Sequence, residues 1–289
     1  MFSISTDKFL SWKKEQLHKG GDSESFSFLL DTFGGITKKD LNLFSLKSQR
    51  KVFLKKNLDY LESIWEIHLR DKIPIQYLTG TTYWRDLEFE VSNKVLIPRS
   101  ETEQLIEIIH GLYKNKNLSI TFADLGTGSG AIAIALALAN PSWYGLATDI
   151  DKDALDIASK NFSRYSKKLN LKFFCGNWWN PIKHYKGKID FAISNPPYIP
   201  QDTYEALPIE VKNSEPKIAL LGGQDGLDHI REIIGSAPLF LKEKGWLFLE
   251  NHFDQCIKVK SLFLQSGFND VKVIKDFSGI GRFTIGRYK

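Results

Sequence analysis

The sequence predicts an α/β fold: a mostly parallel seven-stranded sheet with helices on both faces, preceded by a small N-terminal helical bundle and a β-hairpin linker. Three observations carry this. From Leu118 onward, short apolar runs alternate with segments of helical period, the pattern of a parallel sheet whose crossovers are helices. A glycine-rich turn, Asp124-Leu125-Gly126-Thr127-Gly128-Ser129-Gly130, joins the first of these runs to the first helix. A double proline, in Asn195-Pro196-Pro197-Tyr198, ends another run, because a residue without an N–H cannot continue a sheet ladder. The expected divisions are a helical domain over residues 1–72, a linker with a hairpin over 73–98 and the α/β domain over 99–289.

Residues 4 to about 70 read as helical. Phe9, Leu10 and Leu17 lie near helical spacing before Gly20-Gly21, and Ser23 or Ser25 can cap a short helix through Phe26, Phe28, Leu29 and Leu30 to Gly34-Gly35. The stripe Leu54, Leu58, Leu61, Trp65 and Leu69 predicts a helix from about Ser48 to Arg70. Pro74 to Gly80, then Tyr83, Leu87, Phe89 and Val91, moves from helical to alternating period and predicts the hairpin. Ser100 and Glu103 stand at capping-box spacing, which starts a helix at Glu101 carrying Leu105, Ile106, Ile108 and Ile109. Glu101 and Glu103 suit either the positive end of that helix or a binding role.

Beyond that point the predicted strands are Ile120 to Leu125, Tyr144 to Thr148, Leu171 to Cys175, Ile189 to Ser194, Gly245 to Glu250, Val271 to Lys275 and Phe283 to Gly286. Helical segments lie near 129–139, 152–168, 227–242 and 254–266. The run from Pro196 to about Gly226 is long for a loop, and long loops in compact domains tend to be functional.

Composition narrows the class. Hydrophobic residues make up 42% and charged residues 25%, which is ordinary for a globular protein with a real core. No apolar run approaches membrane-spanning length and the N-terminus lacks a charged-then-apolar leader, so no membrane is expected and the cytoplasm is the expected compartment. Cys175 and Cys256 are too few for a disulfide framework or a thiolate metal site, and both read as core residues. The six histidines lie in no motif suggesting a base or a metal ligand, so no metal is expected. Residues 1–85 hold 14 Lys/Arg against 10 Asp/Glu while the rest holds 25 against 24, so the excess positive charge sits in the first third. That suits an acidic or RNA-rich partner, or a solvated helical surface.

Proline at 196 holds Asn195 in the extended region, so its amide and the carbonyls beyond it project rigidly from the strand's C-terminal edge, where open α/β sheets place their chemistry. A carboxamide offers an acceptor and two donors, a proline peptide offers a carbonyl with no competing N–H, and Tyr198 adds a flat aromatic face. Together these suit a planar group bearing an NH2. In the glycine turn, a missing side chain lets a ligand approach the backbone. Its GxGxG spacing, in place of GxGxxG, weakens a dinucleotide reading. Asp149 ends the next strand, 23 residues after Gly126, where it can accept hydrogen bonds from ribose hydroxyls. The combination points to a nucleoside site.

The glycine turn, the acid ending the second strand and the NPPY stretch resemble the Rossmann-like class I methyltransferases, which use S-adenosyl-L-methionine and yield S-adenosyl-L-homocysteine. Within that class the chain is similar to the HemK/PrmC family, protein-(glutamine-N5) methyltransferases of peptide chain release factors. The resemblance spans nearly the whole sequence. It rests on Pro74 to Gly80, Leu96-Ile97-Pro98-Arg99 with Glu101-Thr102-Glu103, the DLGTGSG turn and NPPY, then on Glu215-Pro216 with Ala219-Leu220, Gly222-Gly223 with Asp225-Gly226-Leu227, and Gly279 to Arg282.

The resemblance implies that Gly126, Thr127, Gly128, Ser129 and Gly130 wrap the methionine end of the cofactor, that Asp149 holds its ribose, and that Trp178 lies near its adenine. It implies that Asn195, Pro196, Pro197 and Tyr198 bind the glutamine of the release factor's GGQ motif, with Asn195, Pro196 and Tyr198 catalytic and Asn195 also touching the cofactor. The helical domain has a packed stripe but no catalytic constellation and so is expected to recognise the protein substrate, and nucleic acid is not expected to be required. Two departures stand out. Asn177 replaces the usual Asp before Trp178, though its oxygen can still accept from an adenine amino group. Glu250-Asn251-His252 lacks the usual glycine after the glutamate. An adenine-N6 methyltransferase acting on DNA or RNA would use the same four residues, with base flipping and a target-recognition region. A non-catalytic factor-binding protein with a vestigial methyltransferase fold is a third class, against which the intact motifs argue.

Overall fold

The computed structural model describes residues 1–46, 50–113, 119–165 and 169–289, and the chain divides into two units, Met1–Thr81 and Thr82–Lys289. Ser48, Leu118 and the 166–168 end of a predicted helix lie outside the described residues.

In the first unit, β1 (Phe2–Ser5) leads into α1 (Thr6–His18), then α2 (Ser23–Leu29), α3 (Lys38–Ser45), β2 (Lys51–Leu54), α4 (Leu58–Asp71) and α5 (Ile75–Thr79). The unit is the expected helical bundle with one addition, an antiparallel ribbon that pairs Phe2 with Leu54 and Ile4 with Val52. Val52 and Leu54 are buried while Lys51 and Phe53 are exposed, a period of two hidden inside the helical stripe. Asn57 separates strand from helix, because its side-chain oxygen accepts the Tyr60 N–H at 3.0 Å and starts α4 at Leu58. The predicted helix from about Ser48 is therefore corrected to a strand followed by a capped helix. Likewise Asp22, not Ser23 or Ser25, caps α2: its carboxylate takes the Glu24 and Ser25 N–H groups at 2.9 and 2.7 Å. A charged acceptor at the positive end of a helix outcompetes a hydroxyl. Phe9, Phe26, Leu29, Leu61 and Trp65 form the core, with Phe26 edge-on to Trp65 at 4.8 Å.

The second unit opens with the hairpin of β3 (Thr81–Trp84) and β4 (Leu87–Glu90), followed by α6 (Glu103–Leu112). The capping box predicted at Ser100 and Glu103 does not form. Ser100 donates to the Glu101 carboxylate, the Glu103 carboxylate accepts the Arg85 N–H at 2.9 Å, and α6 begins behind Thr102, whose hydroxyl turns elsewhere. Next come β5 (Thr121–Leu125), α7 (Ala131–Ala139), β6 (Tyr144–Asp149), α8 (Lys152–Tyr165), β7 (Leu171–Cys175), β8 (Ile189–Ser194), α9 (Gln201–Ala206) and α10 (Ile209–Ser214). The chain closes with α11 (Asp228–Phe240), β9 (Leu241–Glu250), α12 (Cys256–Gln265), β10 (Phe268–Lys275) and β11 (Gly281–Tyr288).

The seven strands lie in the order β10-β11-β9-β8-β5-β6-β7. Those from β7 across to β9 run parallel, and β11 is antiparallel to both its neighbours. Alternate residues supply the two faces: Phe122, Phe191, Ile193 and Phe248 pack under α6 and α7, while Ala123, Leu125, Leu247 and Leu249 pack under α11 and α12. Helix α7 is apolar all round because it is buried all round, every residue from Ala131 to Ala137 lying inside. The strand order reverses between β5 and β8, the place where open α/β sheets leave a crevice beyond their C-terminal edges. Cys256 is buried as expected, whereas Cys175, at the last position of β7, is exposed. Among the described residues, no helix is long and apolar enough to cross a membrane.

Candidate active site

Register brings the distant motifs together. Asp124 pairs with Ile193 and Ser194 pairs with Leu249, so Gly126, Asn195 and Glu250 emerge side by side at the edges of β5, β8 and β9. Gly126 and Asn195 line a cleft of about 210 Å3 in the second unit, and Glu250 lies buried behind them, outside its lining. Of the expected residues, Gly126, Thr127, Gly128, Ser129, Asp149, Trp178, Asn195 and Pro197 line it; Gly130, Pro196 and Tyr198 do not.

The glycine turn has a physical cause at each end. Gly126 has φ 76°, and a Cβ there would sit 2.9 Å from the Trp178 ring, so only glycine lets that ring lie on the turn. The N–H groups of Gly126 and Thr127 both bond the Thr148 carbonyl, which locks the turn to the end of β6. Gly130 faces Ala158 of α8, so it serves helix packing at the foot of the cleft. Below the turn, fully buried Asp124 accepts the Thr127 hydroxyl at 2.6 Å. Burial pushes its carboxyl up to about 7, against the pull of Thr127 and the Ala133 N–H.

Asp149 accepts the N–H of Gly128 at 2.8 Å and that of Asp151 at 3.0 Å, one on each oxygen. Burial raises its pKa and the nearby Asp151 charge adds to the rise, with the N–H groups of Asp151, Gly128 and Ile150 opposing. A carboxylate has about four acceptor positions, so two remain to receive a diol from the cleft. Opposite, Trp178 holds φ 45°, its ring 5.4 Å from that of His229, and its buried indole N–H has no partner. The Asn177 amide donates to Glu232 at 2.7 Å, which leaves the Asn177 oxygen as the acceptor at this end of the cleft. A carboxylate for hydroxyls, an indole face and a neutral acceptor fit a nucleoside such as that of S-adenosylmethionine. Among the described residues, no group of three or more His, Cys, Asp or Glu is arranged to hold a metal ion.

At the other end, the Asn195 amide donates to Thr102 Oγ1 at 3.2 Å, and Thr102 Oγ1 donates to Glu250 Oε2 at 2.6 Å. The Tyr198 hydroxyl donates to the second Glu250 oxygen at 3.3 Å. Glu250 is fully buried. Burial lifts its carboxyl to about 7, opposed by the Thr102 bond, by the Arg282 guanidinium and by Tyr198, with Glu101 adding to the rise. Burial, then the nearby Glu250 charge, pushes the Tyr198 hydroxyl up, so Tyr198 stays protonated. With its NH2 engaged, Asn195 keeps its oxygen free. Among the described residues the Pro196 carbonyl also carries no hydrogen bond, whereas the Tyr198 carbonyl is taken by Gln255 at 2.9 Å.

The segment after NPPY is held by a short parallel bridge between Ile199 and Leu221. The long run that follows is not structureless, since it contains α9, α10 and a 3-10 turn at Lys217–Ala219. Arg99, on the cleft wall, pairs with buried Glu215 at the head of that turn. Glu101 and Glu103 stay outside the cleft. Thr102 and Glu250 carried no assigned role in the sequence. Glu250 had a signal of its own, a lone acid closing the apolar run Trp246 to Leu249 next to the NPPY strand. Nothing in the sequence ties Thr102 to a residue 148 positions away.

A family model described as methyltransferase small domain matches residues 103–208, from α6 through α9. Among solved structures, the catalytic domain of hMettl16 in complex with the MAT2A 3'UTR hairpin 6 is similar at TM-score 0.56 and 17% identity, covering 94% of each chain. A methyltransferase from Pyrococcus furiosus follows at TM-score 0.51 and 20% identity, over 70% of this chain and 89% of that one. At those identities the likeness is one of fold, the class I methyltransferase fold. Sequence relatives say more. A release factor glutamine methyltransferase from Prochlorococcus marinus is 41% identical over 97% of this chain and 96% of its own, and one from Streptococcus pneumoniae is 34% identical over 96% of each. That likeness runs through the helical N-terminal unit as well as the methyltransferase stretch, and the chain belongs to the release factor glutamine methyltransferase family.

Proposed function

We propose that this protein transfers a methyl group from S-adenosylmethionine to the side-chain amide nitrogen, N5, of the glutamine in the GGQ motif of peptide chain release factors. The observation that carries the proposal is the state of Asn195: it lines the cleft, its NH2 is engaged by Thr102, and its oxygen is left without a protein partner. Next in the chain, outside the lining of the cleft, stands the unbonded carbonyl of Pro196, the second acceptor of this reading. A primary amide presents two N–H groups, and these two acceptors match them.

An amide nitrogen is a poor nucleophile because its lone pair is delocalised into the carbonyl. Acceptors held on both N–H bonds orient the nitrogen and stabilise the positive charge that grows on it as the new N–C bond forms. This is electrostatic preorganisation with acceptors where an oxyanion hole has donors. The bound cofactor supplies an electrophilic methyl on a sulfonium sulfur. Asp149 would take its ribose hydroxyls, Trp178 and the Asn177 oxygen its adenine, and the turn Gly126 to Gly130 its methionine end. The N–H becomes acidic only as the bond forms, so no base is needed beforehand. The N-terminal unit, Met1–Thr81, is assigned to recognising the protein substrate, because it has a packed core and, among the described residues, no group of His, Cys, Asp and Glu arranged to hold a metal and no part in the cleft. Such a substrate places the enzyme's work in the cytoplasm.

The test is labelled methyl transfer to purified release factor, with DNA and RNA run alongside, followed by peptide mapping. Label on the GGQ glutamine is expected. Label on adenine, or on no substrate with cofactor bound, would overturn the assignment.

A further inference from the structure

Asn195 can face the cleft in two ways, since its oxygen and NH2 have nearly the same shape. Which one faces substrate depends on what stands behind it, and behind it stands a directed chain. Above neutral pH, where Glu250 is ionised, it can only accept hydrogen bonds. The Thr102 hydroxyl has a single proton, and at 2.6 Å Glu250 Oε2 takes it. Thr102 Oγ1 therefore has only lone pairs to offer Asn195, which must answer with its NH2. The Tyr198 hydroxyl points its proton at Glu250 as well, so both partners of the carboxylate agree in direction. Thr102 lines the cleft but is only 4% exposed, and Glu250 is 1% exposed, so the bond between them is shielded from bulk water.

Resting on the assignment of Asn195 as an acceptor for the substrate amide, we propose that Thr102 and Glu250 are positioning residues that set the polarity of the Asn195 carboxamide. Acting through Asn195, they turn its oxygen toward the cleft and so select a substrate that donates N–H groups. Arg282, on β11, faces the Glu250 carboxylate and is itself held by Asp276 at 2.8 Å. Glu101 approaches from the chain before α6, and Tyr198 from the chain after β8.

The test uses the full-length protein with purified release factor at saturating cofactor. Thr102→Val keeps the shape and deletes the acceptor behind Asn195. It is expected to lower kcat by about 10- to 100-fold, the cost of a misoriented group at the reacting centre. KM for release factor and Kd for cofactor should stay within about twofold. Thr102→Ser, which restores the hydroxyl, should recover kcat to within about threefold of wild type. In an Asn195→Ala background Thr102→Val should cost nothing further, since no amide is left to orient. Melting temperature and cofactor Kd report folding, and Thr102→Ala is a second variant carrying the same expectation. Thr102→Val with wild-type kcat, or with a loss that multiplies fully with that of Asn195→Ala, overturns the positioning role alone. Wild-type activity that survives Asn195→Ala overturns the acceptor assignment beneath it, so the two failures are distinguishable.

Discussion

Replacing Glu250 by Gln is expected to raise thermal stability above neutral pH and to do nothing for it at about pH 4, below both pKa values. Burial lifts the Glu250 carboxyl from 4.5 to about 7, so the folded state holds the proton more tightly than the unfolded chain does. Between those values the folded protein binds more protons than the unfolded one, and stability falls as pH rises through the interval. Below it both states are protonated and the penalty vanishes. Above it the full penalty stands, at about 1.4 kcal/mol per pKa unit or on the order of 3 kcal/mol. Gln removes that charge but brings its own conflict. It has one oxygen where Thr102 and Tyr198 both donate, and losing one such bond costs about 1 kcal/mol. A net gain of about 1 to 2 kcal/mol remains at about pH 8.5, or roughly 2 to 8 °C in Tm for a unit of this size. Paired thermal melts of wild type and Glu250→Gln at about pH 4 and about pH 8.5 measure the difference. An equal shift at both values, or a variant less stable at the higher one, would refute the claim that the wild-type carboxyl is ionised against its surroundings. The same variant should be a poorer enzyme, because the introduced carboxamide could turn a donor toward Thr102, and a gain in stability with a loss in kcat is how strain at a working site shows itself.

Asn195→Ala should lower kcat by about 10²- to 10³-fold with a smaller change in KM, comparable with losing an oxyanion-hole group. Asn195→Asp should fail as well, because it keeps an oxygen but loses the NH2 that holds Thr102; single-turnover transfer measures both. Asp149→Ala should weaken S-adenosylmethionine binding by about 1.5 to 3 kcal/mol, roughly 10- to 150-fold in Kd by calorimetry, with NAD failing to bind either protein. A chain beginning at Thr82 should keep cofactor affinity and lose at least about tenfold in kcat/KM on intact release factor; an unchanged value would remove the N-terminal unit from substrate recognition.

The sequence made the sheet legible because its signals are local. Runs such as Ile189 to Ser194 are bounded by breakers, and the period of the helices between them is clean. The helix from Ser48 failed for the opposite reason: Leu54 and Leu58 lie four apart by accident, one closing a strand and the other opening a helix. Periodicity cannot see a cap, and Asn57 was the cap. The capping box at Ser100 failed because a tertiary partner won. Glu250 takes the hydroxyl of Thr102, two residues beyond Ser100, Glu103 is drawn to Arg85, and a local motif worth about 1 kcal/mol yields to both.

The same division runs through the site. Gly126, Asp149 and Asn195 were legible because each stands at a strand end, and strand ends can be read from one stretch of sequence. What fixes the direction of Asn195 was not legible, because Asn195 and Glu250 come together only once β8 and β9 lie side by side, and Thr102 reaches both from the chain before α6. The row of strand ends explains why an amide stands at 195. Asp124, Asp149 and Glu250 lie at the ends of β5, β6 and β9, and burial raises the pKa of all three. A fourth carboxylate at the end of β8 would meet Glu250 through a single hydroxyl, with no proton left to share between them. Asn195 avoids that repulsion, gives Thr102 the donor it lacks, and still turns an acceptor outward. A neutral side chain with both a donor and an acceptor is what this position between acids requires, and in the proposed reaction the substrate amide meets the end that Thr102 leaves free.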